Sequence, residues 1–218
     1  EFMRTDTFYA RLALIQAEIG GRTAVIDAPA LRGHTALAAC LADARSVCVM
    51  HSASEDLEAL SAIIPSGPAV LFDTQIAAAM TGFGPGLSYQ KLVAALLGVD
   101  LPKGETRSDW LKRPLSPAQL EYAAQDVEHL PQIHVLLAAR LAELGRVEWL
   151  AEDCRRLVDK VCRSEPDAQP QRAFPRAADW PRESQALLRR ILLWREAKAR
   201  ALDKPRSWIL DDARMLDL

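Results

Sequence analysis

The sequence predicts an α/β domain that is followed by a mostly helical region. Two short apolar runs of buried-strand type, Ser46–Met50 and Ala69–Phe72, each lead directly into a helical pattern, as the strands of an α/β sheet do. From residue 116 onward the pattern is helical almost throughout. The chain has 218 residues, of which 50% are apolar, so it can build one sizeable core plus an appendage, and a disordered chain is excluded.

The first predicted element is a β-hairpin. Arg11–Ala17 and Thr23–Asp27 have the composition of strands, and Gly20-Gly21 between them suits a tight two-residue turn. The stretch Glu1–Tyr9 leads into the first of these strands.

Capping patterns mark the starts of two predicted helices. Ser52 fits the first position of a capping box for a helix over Ser54–Ile64, and Ser116 with Pro117 and Gln119 fits another. The other predicted helices are His34–Ala42, Asp73–Thr81, Ser88–Leu97, Ser116–Leu144 with a bend near Pro131, and Arg146–Cys162. The apolar stripe of the last of these consists of Trp149, Leu150, Cys154, Leu157 and Val161.

The last quarter of the chain begins with a proline-rich stretch. Four prolines among polar residues predict a semi-extended linker over residues 163–181. Beyond it, Leu187–Arg200 has the pattern of an amphipathic basic helix. Its cations either bind RNA backbone or form a solvated face on a packing helix, and the pattern leaves both open. They are Arg189, Arg190, Arg195, Lys198 and Arg200.

Tyr122 and Asp126 are the most informative pair of residues. They are four apart on a predicted helix and therefore project from the same face, one turn from each other. A phenol above a carboxylate suits a metal ion with a water beside it, and the Ala123-Ala124 pair between them would leave the surface clear for a substrate. A half-exposed tyrosine over a solvated aspartate is the structural alternative.

Three further residues stand where predicted strands give way to helices. Asp56 falls in the first turn of the helix after the strand Ser46–Met50, at the sheet edge where α/β proteins place their sites, although the helix dipole would also favour an acid there. His51 at the end of that strand either orients the site or bonds to backbone. Asp73 is predicted to cap the helix that follows it.

Five motifs in a fixed order carry a resemblance to a known family. They are Glu1-Phe2-Met3-Arg4-Thr5, His51-Ser52-Ala53-Ser54-Glu55-Asp56-Leu57, Asp73-Thr74-Gln75, Ser108-Asp109-Trp110-Leu111-Lys112-Arg113-Pro114-Leu115 and Tyr122-Ala123-Ala124-Gln125-Asp126-Val127. Together they closely resemble ribonuclease D, a 3′-5′ exoribonuclease of the DEDD exonuclease superfamily, Tyr subclass. The resemblance covers roughly the whole chain.

The resemblance implies a fold and a domain order. Residues 1–162 would form a ribonuclease H-like exonuclease domain, in which helices flank a mixed sheet. After the linker over residues 163–181, residues 182–218 would begin an all-α HRDC module that stops before it is complete.

The resemblance also implies a metal site of four carboxylates. Glu1 matches the Glu of the first motif, Asp56 the Asp of the second and Asp126 the last Asp, while Tyr122 matches the tyrosine that names the subclass. The family's first Asp, which would bridge both ions, should stand two positions before Glu1 and is not in this sequence.

The strand that carries the first motif lies inside the family's sheet. Its loss would leave buried backbone groups unpaired at a cost of about 1–3 kcal/mol each, so we expect native residues upstream of Glu1. Glu1-Phe2 also has an alternative origin as a remnant of cloning, but the family-like continuation Met3-Arg4-Thr5 favours a native sequence.

The residues predict the chemistry of phosphodiester hydrolysis. Hard carboxylate ligands favour magnesium or manganese, and two such cations about 3.5–4 Å apart make a nucleophile and stabilise the leaving oxygen. We expect Glu1, Asp56 and Asp126 to be the metal ligands and Tyr122 to orient the attacking water. An unperturbed phenol titrates near pH ~10, which argues against a base.

Four residues are candidates for contacts with the substrate. Phe2 would touch the terminal base, and His51 would orient the site. Lys103 and Arg107 lie in a loop before the Tyr122 helix and either reach the RNA backbone or remain solvated. Trp110 in the same region is predicted to be a core anchor rather than a stacking platform.

We therefore expect a cytoplasmic, metal-dependent 3′-5′ exoribonuclease that acts on RNA, with tRNA precursors as the substrate that the resemblance suggests and without an obligate protein partner. The alternatives are a DNA exonuclease and a catalytically disabled RNA-binding fragment. The net charge of −2 means that contact with RNA must come from a local basic patch or from metal ions.

The rest of the composition agrees with a cytosolic protein. No apolar run is long enough to span a membrane, and no signal peptide is visible. Cys40, Cys48, Cys154 and Cys162 lack zinc-site spacing and are expected to be reduced thiols.

Overall fold

The contacts between residues divide the chain into two units. The structure is a computed structural model that describes residues 1–31, 35–102, 104–105, 108–163 and 167–217. The first unit consists of Glu1–Met3 with Leu12–Ser164, and the second of Arg4–Arg11 with Glu165–Leu218. The second unit therefore includes a short N-terminal segment in addition to the C-terminal region.

A β-hairpin follows the N-terminal segment, as predicted. The strands β3 (Leu14–Ile19) and β4 (Arg22–Asp27) pair antiparallel with Leu14 opposite Asp27 and Ile19 opposite Arg22. Gly20 and Gly21 both have positive φ, which a two-residue turn with the twist of the strands requires. The short strands β1 (Phe2–Met3) and β2 (Arg11–Leu12) precede the hairpin.

Two parallel strands carry the predicted α/β pattern. β5 (Val47–Met50) pairs with β6 (Val70–Asp73), and Met50 is opposite Asp73. Both strands end at the same edge, where the helices α2 (Ser54–Leu60) and α3 (Thr74–Met80) begin. This edge positions Asp56 in the first turn of α2, as expected.

The predicted helices are present with shifted bounds. The long predicted helix after residue 116 is two helices that meet at His129, and Ser116 forms the expected capping box with Gln119. The other helices of the first unit are α1 (Thr35–Ala42), α4 (Tyr89–Leu97), α5 (Pro117–Glu128), α6 (Leu130–Glu143) and α7 (Val147–Val158), after which Asp159–Arg163 forms a π-helical turn.

Two local predictions were wrong. The Ser52 side chain does not cap α2, since Ser52 has φ 58° and the helix has no side-chain cap; the carboxylate of Asp73 accepts from the backbone there instead. Trp149 does not belong to the buried stripe of α7, because it is 61% exposed and packs beside the Arg146 guanidinium. The buried face of α7 consists of Leu150, Cys154 and Val158.

The first unit has a main core and a smaller cluster beside the predicted site. The main core joins α2, β6, α3, α4, α6 and α7, and its fully buried side chains include Leu57, Leu92, Ile133 and Leu137. The smaller cluster consists of Ala13, Leu14, Trp110 and Ala123, with Tyr122 packed against it. Trp110 is 2% exposed, which confirms the prediction of a core anchor.

The second unit is helical and has its own apolar cluster. Its helices are α8 (Arg182–Leu202), α9 (Arg206–Ile209) and α10 (Asp212–Leu216). The cluster consists of Ala177, Leu188, Leu192 and Met215. Residues predicted as an extended linker include two short 3₁₀ turns, Pro170–Ala173 and Pro175–Ala177.

The N-terminal loop Arg4–Arg11 belongs to this second unit through specific contacts. The backbone N–H groups of Phe8 and Tyr9 both donate to the Asp203 carboxylate at 3.0 Å. The Phe8 ring also contacts the guanidinium groups of Arg200 and Arg206. None of the helices in the described ranges is both long and apolar enough to cross a bilayer.

The carboxylate of Asp73 links the starts of α2 and α3. It accepts from the backbone N–H groups of Gln75 (2.8 Å) and Ile76 (3.2 Å), which caps α3 as predicted. It also accepts from the N–H groups of Ser52 (3.2 Å) and Ala53 (2.8 Å) in the turn before α2. Asp73 is 1% exposed, and its bond from the Ala53 N–H is buried, so that donor in particular has no replacement acceptor in the interior.

We predict that Asp73→Ala lowers the free energy of unfolding by about 3 kcal/mol, because it leaves the buried N–H of Ala53 without an acceptor and removes the acceptor of three part-buried N–H groups. Asp73→Asn keeps one acceptor oxygen and should cost less. Urea denaturation followed by circular dichroism measures both changes. Ser116→Ala is the control, because it removes a cap that receives one backbone N–H group and should cost about 1 kcal/mol. Equal losses for Asp73→Ala and Ser116→Ala would contradict the bridging role.

Candidate active site

Asp56 is held at the edge of the parallel strands. It lies in the first turn of α2, and its side chain is half-buried. Burial is the main cause that raises the pKa of Asp56 to about 6, and the negative charge of Glu1 acts in the same direction. The Asp56 carboxyl is therefore near enough to Glu1 to respond to its charge.

Glu1 is fixed to the hairpin through its backbone. Its carbonyl oxygen accepts from the N–H groups of Ala13 (2.9 Å) and Leu14 (3.0 Å). Its amino group donates to the carbonyl oxygen of Leu14 (2.9 Å) and to the side chain of Gln16 (3.0 Å). These bonds place the Glu1 side chain beside the start of β3.

Helix α5 carries Tyr122 and Asp126, and both respond to the charge of Glu1. The Tyr122 ring packs against the smaller cluster, with its centroid 5.9 Å from that of Trp110. Ala123 is fully buried in that cluster, so it does not present a clear surface to a substrate; Ala124 is half-exposed.

Asp126 and Glu1 are tightly coupled carboxyl groups. Burial, the charge of Glu1 and a side-chain hydrogen bond with Glu1 together raise the pKa of Asp126 to about 7. The Tyr122 hydroxyl acts in the opposite direction. Since two carboxylates this close resist ionising together, the pair attracts either a proton or a cation.

The pKa of Tyr122 lies above its usual range. Burial is the largest cause, followed by the negative charges of Asp126 and Glu1. The phenol therefore stays protonated at neutral pH and can donate a hydrogen bond, but it does not serve as a base.

Glu1 relates the four predicted catalytic residues, because its charge affects the pKa of each of the other three. Glu1 interacts with Asp56, Tyr122 and Asp126, and all four are supplied by the first unit. Within the described ranges, no three acidic, histidine or cysteine side chains converge closely enough to enclose a single ion. Their assignment as metal ligands stays a prediction.

His51 is bonded within the protein through both ring nitrogens. Nδ1 lies 2.9 Å from the Thr74 hydroxyl and Nε2 lies 3.0 Å from the carbonyl oxygen of Leu87. Burial lowers the pKa of His51, so the ring is neutral and donates from Nε2 to the carbonyl oxygen of Leu87. This arrangement matches the backbone-bonded alternative, while a role in substrate binding stays a prediction.

The other predicted substrate contacts are only partly described. Phe2 is half-buried in β1. Lys103 and Arg107 lie outside the described residues.

Three of the basic residues predicted on α8 make hydrogen bonds or ion pairs within the second unit. Arg195 is 7% exposed and donates to the Leu210 carbonyl oxygen and to Asp212. Arg189 donates to the carbonyl oxygen of Ala168, and Arg200 pairs with Glu196. These contacts favour the packing-helix alternative for the three arginines.

Sequence reasoning missed the second role of Asp73. It assigned the carboxylate to α3 alone, whereas two of its four donors come from the turn that begins α2. The available signal was that the strands Ser46–Met50 and Ala69–Phe72 would be parallel neighbours, which places their following residues side by side.

Comparison with known proteins identifies the family of this chain. A family model for 3′-5′ exonucleases matches residues 1–142. The curated ribonuclease D of Xanthomonas oryzae pv. oryzae is 48% identical over 97% of this chain and 58% of its own length. The chain thus spans somewhat more than half the length of this relative.

Two solved structures have related folds. Escherichia coli RNase D, described as an exoribonuclease involved in structured RNA processing, superposes with a TM-score of 0.88 at 33% identity, over 97% of this chain and 56% of that one. Brucella melitensis NrnC with bound Mg²⁺ superposes with a TM-score of 0.65 at 27% identity, over 77% of this chain and 85% of that one.

The raised pKa values of Asp56 and Asp126 predict how stability depends on pH in chelator. The folded protein holds these protons more tightly than the unfolded chain, whose aspartates titrate near pH ~3.9. The free energy of unfolding should therefore fall as pH rises from about 4 to about 7, the pKa of Asp126. Denaturation in urea at a series of pH values measures this slope.

Asp126→Asn removes one titrating group and should flatten the upper part of that profile, with a gain in stability at pH above 7. Glu121→Gln is the matched control, because it removes an exposed carboxylate from the same helix. Parallel profiles for the parent and Asp126→Asn would contradict a raised pKa of Asp126 in the folded protein.

Proposed function

Because this chain belongs to the family of 3′-5′ exonucleases, we propose that it is a metal-dependent 3′-5′ exoribonuclease that releases nucleoside 5′-monophosphates. The observation that carries the proposal is that Glu1 acts on Asp56, Asp126 and Tyr122, and that burial and the charge of Glu1 raise the pKa values of Asp56 and Asp126. A set of carboxylates that can bind divalent cations is what metal-assisted hydrolysis of a phosphodiester requires.

RNA is the proposed substrate. The curated relative is a ribonuclease D, and the Escherichia coli structure is described as an enzyme of structured RNA processing. By analogy we propose that the 3′ ends of structured RNAs, tRNA precursors among them, are trimmed by this protein.

The donor set fits hard divalent cations. Glu1, Asp56 and Asp126 offer carboxylate oxygens, which suit magnesium or manganese rather than softer metals. The raised pKa values of Asp56 and Asp126 support this assignment, because a bound cation would favour the ionised form of both carboxyl groups. The magnesium-bound relative NrnC supports the same class of ion.

Two bound cations would supply a nucleophilic water at neutral pH and neutralise the charge that develops on the leaving oxygen. The protein's own contribution is to hold the ligands. Asp56 is fixed through the turn that Asp73 stabilises, and Glu1 is fixed through its bonds to Ala13 and Leu14.

Tyr122 would orient the attacking water. Its hydroxyl interacts with Asp126, and its raised pKa keeps the proton on the phenol at neutral pH. The hydroxyl can therefore donate to Asp126 while its oxygen accepts from a water molecule. The half-buried ring, packed against Trp110, limits the positions that this hydroxyl can take.

The second unit is proposed to begin an HRDC module. The long helix α8, the short helices α9 and α10 and their shared apolar cluster support this assignment. Truncation of residues 182–218 in the protein, followed by measurement of RNA affinity and of activity, tests whether this unit contributes to binding.

The proposed function is tested with RNA labelled at either end. With magnesium or manganese, we expect mononucleotides to be released from 3′-labelled RNA at once and from 5′-labelled RNA only at the end of digestion, and excess chelator to stop both. A DNA oligonucleotide of the same sequence tests the choice of sugar. RNA binding without cleavage would indicate a disabled protein, and preferred cleavage of DNA would indicate a DNA exonuclease.

We predict that Asp126→Asn lowers kcat by about 10³-fold or more, because it removes a ligand and a charge from the reacting centre, while RNA binding changes little. Single-turnover cleavage and fluorescence anisotropy measure the two quantities. Glu121→Gln on the same helix should keep parental activity. Near-parental turnover by Asp126→Asn would show that the metal site has been placed wrongly.

Tyr122→Phe keeps the packing of the ring and removes only the hydroxyl. We expect the single-turnover rate to fall by about 10- to 100-fold, with a change in RNA affinity of less than about twofold. A parental rate for this variant would mean that Tyr122 serves packing alone.

A further inference from the structure

Arg113 links segments that are distant in sequence. Its Nη1 donates to the carbonyl oxygens of Trp110 (2.7 Å) and Lys112 (2.9 Å). Its Nη2 donates to the carbonyl oxygen of Ala13 (3.1 Å) and to the Asp27 carboxylate (2.5 Å), which also accepts from Nε at 3.2 Å. Every nitrogen of the guanidinium is therefore used, although the side chain is one-third exposed.

Arg113 is connected to Glu1 through Ala13. Ala13 accepts from Arg113 through its carbonyl oxygen and donates through its N–H to the carbonyl oxygen of Glu1. Leu14 makes two further backbone bonds with Glu1. A shift of Ala13 would accordingly move Glu1.

Arg113 also holds the segment that leads into α5. The Trp110 carbonyl oxygen accepts from the guanidinium, and the buried Trp110 ring packs beside Tyr122. Gln119, in the first turn of α5, donates to the carbonyl oxygen of Asp109 at 3.4 Å. The segment that Arg113 fixes is thus attached to the helix that carries Tyr122 and Asp126.

We infer that Arg113 is a positioning residue, whose guanidinium fixes Glu1 relative to Tyr122 and Asp126 on α5. The inference rests on the proposed function, since it concerns the ligands of that site. Lysine cannot take this role, because an ammonium group lacks the planar fork that reaches Ala13, Asp27 and the 110–112 carbonyl oxygens together.

The test compares Arg113→Ala and Arg113→Lys with Lys112→Ala, which removes an exposed neighbouring cation. Circular dichroism and gel filtration establish the folded fraction of each. Per folded molecule, we expect both Arg113 variants to lose about tenfold or more in kcat, because a small displacement of catalytic groups is costly, while KM for RNA stays within about twofold. Lys112→Ala should keep the parental kcat.

Two readouts separate positioning from a general loss of stability. Electron paramagnetic resonance should show weaker Mn²⁺ binding by both Arg113 variants than by the parent and Lys112→Ala. Millimolar guanidinium should restore part of the kcat of Arg113→Ala and none of that of Arg113→Lys, where the side chain still fills the site.

The outcomes distinguish this inference from the proposed function. A parental protein without chelator-sensitive nucleotide release overturns the proposed function. An active parent together with Arg113 variants that keep its kcat and its Mn²⁺ affinity overturns only the role of Arg113. If Arg113→Ala does not fold, Arg113→Lys decides in the same way, since it keeps the charge and the length of the side chain.

Discussion

The carboxylate of Asp73 accepts hydrogen bonds from the starts of two helices, and the position of Asp56 depends on this. β5 and β6 are parallel and Met50 is opposite Asp73, so the segments that follow the two strands leave the sheet side by side. Ser52 takes a left-handed backbone conformation in the tight turn between β5 and α2. The N–H groups of that turn need an acceptor, and Asp73 supplies it from the neighbouring strand.

The proposed site contains carboxyl groups whose negative charges repel one another. Asp56 and Asp126 are partly buried beside Glu1, so their carboxyl groups ionise less readily than in water. Such an arrangement costs stability in the absence of a counter-charge, and it favours function if a cation supplies that charge. The negative charges of Asp126 and Glu1 add to the effect of burial and raise the pKa of Tyr122, so its hydroxyl stays protonated. A protonated hydroxyl suits the proposed role of orienting water.

Local patterns in the sequence predicted much of the fold correctly. Gly20-Gly21 predicted the hairpin, and Ser116 with Gln119 predicted the capping box at the start of α5. Each of these features depends on a few neighbouring residues. The resemblance to ribonuclease D is confirmed as well, because ordered motifs identify a family even where their individual roles are not determined.

The errors came from interactions between residues that are far apart in sequence. Ser52 was expected to cap α2, but an acceptor from β6 satisfies that turn instead. The Arg4–Arg11 loop groups with the C-terminal helices through Asp203, almost 200 residues away, and no periodicity reports such a contact. The link from Arg113 to Ala13 is of the same kind.

The central claim is that Glu1, Asp56 and Asp126 together hold divalent cations. The most direct measurement is the anomalous scattering of Mn²⁺ in crystals of the protein soaked with a nucleoside 5′-monophosphate. We predict anomalous peaks about 2.0–2.2 Å from carboxylate oxygens of these three residues, with the Tyr122 hydroxyl facing the nucleotide phosphate. Strong peaks elsewhere, with none at these carboxylates, would contradict the account.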